Sequence, residues 1–202
     1  MTVAVTGSLA SGKSTFARML GELGAEVVSA DGLVHDLLAS DEETIDAVAA
    51  RFGDDVRGGS GIDRTALSGK VFGDPEALAD LESMLHPRVR AETERRAAAS
   101  QARVFVSEVP LLFEGGSNPS FDVTVAVVTP EQRRREWALA RGMDEERWRA
   151  IESRQLPSGE KALRADVVVE NSGGRDTLRQ EARSLMRRLS GETGADGLED
   201  EG

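Results

Sequence analysis

Cysteine is absent from this chain of 202 residues, which excludes disulfides, thiolate metal sites and a cysteine nucleophile. Histidine is almost absent: His35 and His86 stand too far apart in the chain to suggest a zinc site, so any metal is expected to be oxygen-bound. Lysine is scarce too, with Lys13, Lys70 and Lys161 against 22 arginines. No apolar run approaches the roughly 18 residues needed to cross a bilayer, so no membrane span is expected. Positive charge is in deficit, and a formal net charge of −11 argues against non-specific nucleic-acid binding, which depends on basic side chains releasing counterions. Met1 leads directly into Thr2–Val5 without a basic region, a long apolar segment or a cleavage site, which points to a cytoplasmic protein.

What is present is an ordinary globular composition, 39% hydrophobic and 30% charged, in a chain long enough for one core with embellishments. Short apolar runs at Val3–Val5, Ala25–Asp31, Ala102–Glu108, Phe121–Thr129 and Arg164–Glu170 read as strands, the second ending at Asp31. Helical patterns separate them. This alternation predicts an α/β fold with a parallel sheet covered by helices. Gly53–Gly61 is turn-rich, and Pro87 is expected to bend or break the helix it falls in. Pro130–Pro157 is helical, rich in arginine and poor in aliphatic residues, so it is expected to project from the core. A closing helix carries Leu178, Leu185 and Leu189, and residues 191–202 form an acidic, glycine-rich tail expected to be disordered.

The most specific local pattern is Gly7-Ser8-Leu9-Ala10-Ser11-Gly12-Lys13-Ser14-Thr15, which satisfies G-x-x-x-x-G-K-[ST] between a strand and a helix. In such a P-loop, backbone N–H groups cradle phosphates, the lysine reaches the β and γ oxygens, and the hydroxyl binds Mg²⁺. ATP and Mg²⁺ are therefore the expected cofactors, with Gly7 to Thr15 as their seat, Lys13 on the phosphates and Ser14 on the metal.

Asp31 is read as a base that takes the proton of an attacking hydroxyl, over the alternative of a helix N-cap. Glu108 either holds a magnesium-bound water or is a solvated acid at a strand end. Arg133, Arg134 and Arg135 read as a solvated face paired with acids such as Glu131, Glu136 and Asp144. Arg141, beside Gly142, is the exception chosen to meet the transferred phosphoryl group. His86 precedes Pro87 among Arg88 and Arg90, near a candidate acceptor site, and His35 reads as a helix-surface residue.

The ordered set TGSLASGKST, SAD, IDRTALSGKVF, LHPRVR, EVPLLFE, ARGM, RQLP and ADVVVENSG resembles the dephospho-coenzyme A kinases from about Val3 to Leu189. The resemblance implies a P-loop NTPase fold with a five-stranded parallel sheet, occupying residues 1–190. It further implies a helical acceptor-binding region at about 32–101 and a lid at about 130–157. The implied reaction phosphorylates the ribose 3′-hydroxyl of dephospho-coenzyme A. By that pattern Asp31 is the catalytic aspartate and Arg141 the lid arginine. Arg64, His86 and Arg88 lie on the acceptor side with Asp31, and Asn171 lies near the adenine. A monomer or weak homo-oligomer is expected. Three departures stand out: Ser8 and Ala10 where the family's loop carries more glycine, and Glu108 in place of an aspartate. No NK dipeptide of a guanine-reading motif occurs, which disfavours a regulatory nucleotide switch, while another small-molecule kinase of the same fold is the nearest alternative.

Overall fold

Val3, Ala4 and Val5 are completely buried, and their β-branched and small side chains suit a strand covered on both faces. In the computed structural model, which describes residues 1–115 and 120–191, they belong to β1 (Thr2–Thr6) at the centre of a five-stranded sheet. The other strands are β2 (Glu26–Ser29), β5 (Phe105–Glu108), β6 (Val123–Val128) and β7 (Val167–Glu170), in the order β2-β5-β1-β6-β7. The expected parallel sheet flanked by helices is thus present. Most of the expected acidic tail, residues 192–202, lies outside the described residues.

The chain divides into two units, one of residues 1–27 and 101–202, the other of residues 28–100. In the first, α1 (Lys13–Glu22) and α9 (Arg175–Leu189) share one core with the sheet. Phe16, Met19 and Leu20 meet Leu178, Ala182 and Leu185 over Val3, Val5, Val125 and Val127, the alternate positions of β1 and β6. Two aspartates fasten the amino ends of neighbouring strands. Asp122 accepts from the Thr2 N–H at 2.7 Å, and Asp166 accepts from the Thr124 N–H at 2.8 Å. Hydrogen bonds from these threonines hold both carboxyl groups below the usual aspartate range.

Register then decides what gathers at the opposite ends. Val5 pairs with Glu108, Thr6 with Ala126 and Val128 with Glu170. The loop after β1, the last residue of β5, Thr129 after β6 and Asn171 after β7 therefore share one edge of the sheet. The segment after β6 forms α6 (Glu131–Ala140), α7 (Glu145–Glu152) and α8 (Ser158–Arg164). Its 130–157 part does not simply project from the core as expected, because Arg134, Ala138 and Trp148 are buried in it. Polar contacts, which a count of aliphatic residues does not register, hold it down.

The second unit packs α2 (Ala30–Ser40), α3 (Glu42–Phe52), α4 (Arg64–Val71) and α5 (Pro75–Ala99) around Leu38, Val48, Phe52, Leu67, Leu81 and Leu85. The turn-rich stretch forms a 3₁₀ turn at Asp54–Val56 and a hairpin of β3 (Arg57–Gly58) and β4 (Gly61–Ile62). Two sequence expectations are corrected here. The α5 helix is not broken at Pro87, one of the two outcomes expected there. A helix-interior proline costs about 3 kcal/mol, and the burial of Ala77, Leu81, Leu85 and Thr93 along α5 offsets it. Nor does Asp31 end a strand: β2 stops at Ser29, and Asp31 lies in the first turn of α2.

Candidate active site

Two glycines give the loop its shape. Gly12 has φ 91°, and a Cβ there would lie 2.3 Å from the Asn171 Nδ2, while a Cβ on Gly7 would lie 2.6 Å from the Val127 carbonyl oxygen. No other residue type fits either place. The first α1 bond at this end runs from the Phe16 N–H to the Gly12 carbonyl at 2.9 Å. Residues 13–15 therefore precede the helix's own hydrogen-bond ladder, the position at which helices bind anions. Ala10 takes φ 58°, a left-handed conformation that favours glycine, so the loop tolerates strain there. Ser8 and Ser11 are buried with hydroxyls that have no partner among the described residues.

The loop is braced from three sides. The Asn171 Nδ2 donates to the Ser11 carbonyl at 2.9 Å, and the Thr129 hydroxyl donates to the same oxygen at 2.8 Å. The Leu9 N–H donates to Gln155 Oε1, and Arg134 donates to the Leu9 carbonyl. Asn171, expected near the adenine, thus spends its side-chain amide on the loop. Beside the cradle, Ser14 Oγ lies 2.5 Å from Glu108 Oε1, so two oxygen donors suited to a hard cation converge. Among the described residues no cluster of three or more acidic or histidine side chains could cage a metal. Mg²⁺ is commonly held by one or two protein oxygens plus phosphates and water, and the Ser14–Glu108 pair offers two such oxygens.

Lys161 is buried just beyond the serine–glutamate pair. Its Nζ donates to the Pro110 carbonyl at 2.6 Å and pairs with Glu114 at 3.0 Å, tying down the chain that leaves Glu108. Arg141 and Arg147 line an open cleft of about 220 Å³ with Leu9, Ala10 and Met143. The acids expected to pair with the arginine run are replaced by others. Arg135 pairs with Glu145 and Arg134 with Glu152, partners that only the packing of α6 on α7 brings close. Arg133 donates to the Ser172 carbonyl and stacks on Trp137.

In the other unit Ser29 caps α2 by accepting from the Gly32 N–H, so the capping alternative for Asp31 does not hold. The Asp31 side chain is exposed. Arg64 approaches His35 Nδ1 at 3.3 Å, giving that histidine a neighbour its surface reading lacked. Arg88 pairs with Asp41 and Glu43, and His86 is exposed on α5. Sequence reasoning assigned no role to Gln155, Lys161 or Arg147. The first two are polar residues whose partners lie far away in the chain, which no local pattern records.

A parallel sheet with a glycine-bounded phosphate loop after its central strand, and a serine–carboxylate pair beside that loop, is the arrangement of a P-loop NTPase. The family model for dephospho-CoA kinase matches residues 1–177. The curated dephospho-CoA kinase of Rhodopseudomonas palustris is 40% identical over 190 residues, covering 92% of this chain and 94% of that protein. A solved structure from Thermus thermophilus superposes with a TM-score of 0.79 at 33% identity, covering 94% of this chain and 97% of its own. Dephospho-CoA kinase from Campylobacter jejuni gives a TM-score of 0.64 at 25% identity, with the same two coverages, 94% and 97%. The chain belongs to the dephospho-CoA kinase family.

Proposed function

We propose that this chain transfers the γ-phosphoryl group of ATP to the ribose 3′-hydroxyl of dephospho-coenzyme A, completing coenzyme A. The observation that carries the phosphoryl-transfer half is the Ser14–Glu108 pair set against the glycine-bounded loop. Family membership supports the choice of acceptor. ATP lies along Gly7 to Thr15, with Lys13 on its terminal phosphates.

In the transfer, the bond between the γ-phosphorus and its bridging oxygen breaks and a bond from the 3′-oxygen to that phosphorus forms. Asp31 takes the hydroxyl proton, and ADP leaves. Lys13 and Arg141 neutralise the charge that spreads over the transferred group. Ser14 and Glu108 would hold Mg²⁺ directly or through water, and the bound ion supplies further neutralisation of the phosphates. Arg64, His86 and Arg88 serve the acceptor. Residues 130–157 act as a lid whose closure excludes water. The reading supposes a cytoplasmic monomer or weak homo-oligomer without nucleic-acid or membrane partners; among the described residues no helix is long and apolar enough to cross a membrane.

ADP release measured with dephospho-coenzyme A, AMP and shikimate as competing acceptors tests the proposal. A strong preference for the first is expected. Equal use of the three, or preference for another, would overturn the acceptor assignment.

A further inference from the structure

Leu9, in the middle of the phosphate loop, is held through both of its backbone polar groups by the chain that follows β6. Its N–H donates to Gln155 Oε1 at 2.8 Å, and its carbonyl accepts from Arg134 Nη1 at 3.2 Å. The Leu9 amide, one of the donors that a loop of this kind can turn toward phosphate, is therefore committed to the protein.

Arg134 is 2% exposed, and each of its three guanidinium nitrogens is engaged. Its Nε donates to the Thr129 carbonyl at 3.2 Å, and Nη1 and Nη2 reach the Glu152 carboxylate at 2.8 and 2.6 Å. The Trp148 ring centroid lies 5.4 Å from its guanidinium carbon. A planar cation enclosed in this way has one orientation. Arg141 follows seven residues later as the residue that caps the carboxyl end of α6, so the placement of that helix sets where its backbone stands. Its guanidinium has no partner among the described residues, unlike those of Arg134 and Arg135. Arg141 borders the cleft that Leu9 and Ala10 also line.

We infer that Gln155 and Arg134 form a two-point clasp on Leu9 that sets where Arg141 stands over the phosphate cradle. Both are positioning residues, acting through Leu9 and Arg141, and the inference rests on the proposed role of Arg141 in transfer. The carboxamide of Gln155 fixes the end of α7 from one side of the peptide, and the guanidinium of Arg134 fixes α6 from the other. Without the clasp the loop keeps its glycines and its Asn171 brace, so nucleotide binding persists while the arginine loses its registration.

Turnover, KM for ATP and hydrogen exchange at the Leu9 amide, measured in Gln155→Met, Arg141→Ala and the double variant, test this. Gln155→Met keeps the side-chain size without the acceptor oxygen. It is expected to lower kcat about tenfold, as misplacement of a charge-stabilising group does, with KM for ATP and the thermal midpoint little changed. Leu9 amide exchange should accelerate, and Gln155→Glu, which restores an acceptor, should recover the protection. In the Arg141→Ala background Gln155→Met should cost nothing more, because both changes remove one interaction. Losses that multiply in the double variant would overturn the clasp alone, as would faster exchange with unchanged kcat. Full turnover by Arg141→Ala would instead overturn the arginine assignment and the coupling with it.

Discussion

Ser14 donates its hydroxyl to Glu108 across 2.5 Å, joining the first turn of α1 to the last residue of β5. The contact follows from register, since Glu108 pairs with Val5 two residues ahead of Gly7. A bond to a carboxylate is roughly twice as strong as a neutral one. Each group therefore orients the other, and the longer side chain of a glutamate still reaches the serine. Ser14→Ala and Glu108→Gln are expected to raise the Mg²⁺ concentration for half-maximal activity by about tenfold or more, the usual cost of losing a metal ligand's support. Binding of a fluorescent nucleotide in EDTA should change less. Identical Mg²⁺ titrations for both variants and the parent would remove these residues from the metal site.

Asp31→Asn tests the proposed base. With Ser29 capping α2, the aspartate is not needed to start the helix, so the variant should keep its thermal midpoint within a few degrees. Its kcat should fall by about 10²- to 10⁴-fold, with modest change in ATP affinity. Near-parental turnover would leave Asp31 without a chemical role.

Gly12→Ala places a Cβ 2.3 Å from the Asn171 amide at a φ of 91°. Either the loop or the asparagine must move, and the amide's bond to the Ser11 carbonyl goes with it. A loss of about 1–3 kcal/mol in urea unfolding is expected, the range for backbone strain combined with a broken buried bond. Nucleotide affinity should weaken by at least about tenfold, which equilibrium binding of ADP would read.

Glu92 supplies a pH prediction. Hydrogen bonds from Arg95 and then Arg96 pull its pKa down to about 2 from an ordinary 4.5. A group depressed on folding contributes stability that is complete above its unfolded pKa and is lost as pH falls through the folded value. Glu92→Gln should therefore cost about 1 kcal/mol near pH 7, the upper range for a partly exposed pair. The gap from the parent should narrow below pH 4.5 and close toward pH 2. Urea midpoints across that window check it, and a gap that widens with acid would contradict the assignment.

Elements with local signatures were legible in the sequence. Gly7 and Gly12 carry the turn, the valine runs of β1 and β6 carry the sheet, and Leu178 and Leu185 mark the buried face of α9. Local patterns failed where a distant partner decides. Arg134 looks solvated until Glu152, 18 residues on, and Leu9, 125 residues back, are brought to it. Lys161 looks like a surface lysine until Glu114 and the Pro110 carbonyl enclose it. Asp31 resembles a strand end because Ser29, an equally good cap, stops β2 two residues earlier. Pro87 carries a local breaking signal that the packing of α5 overrides.

The division of the chain bears on how it acquires its structure during synthesis. Residues 28–100 form one uninterrupted stretch with its own apolar cluster, so they can collapse as soon as they leave the ribosome. Residues 1–27 emerge first yet finish later, because β1 finds its neighbours only in Phe105–Glu108 and Val123–Val128. Until then Val3 and Val5 wait on an unpaired strand, and the loop that follows them has neither the Thr129 nor the Asn171 that braces it. The phosphate cradle, the first recognisable motif in the sequence, is among the last parts of the nascent protein to become competent.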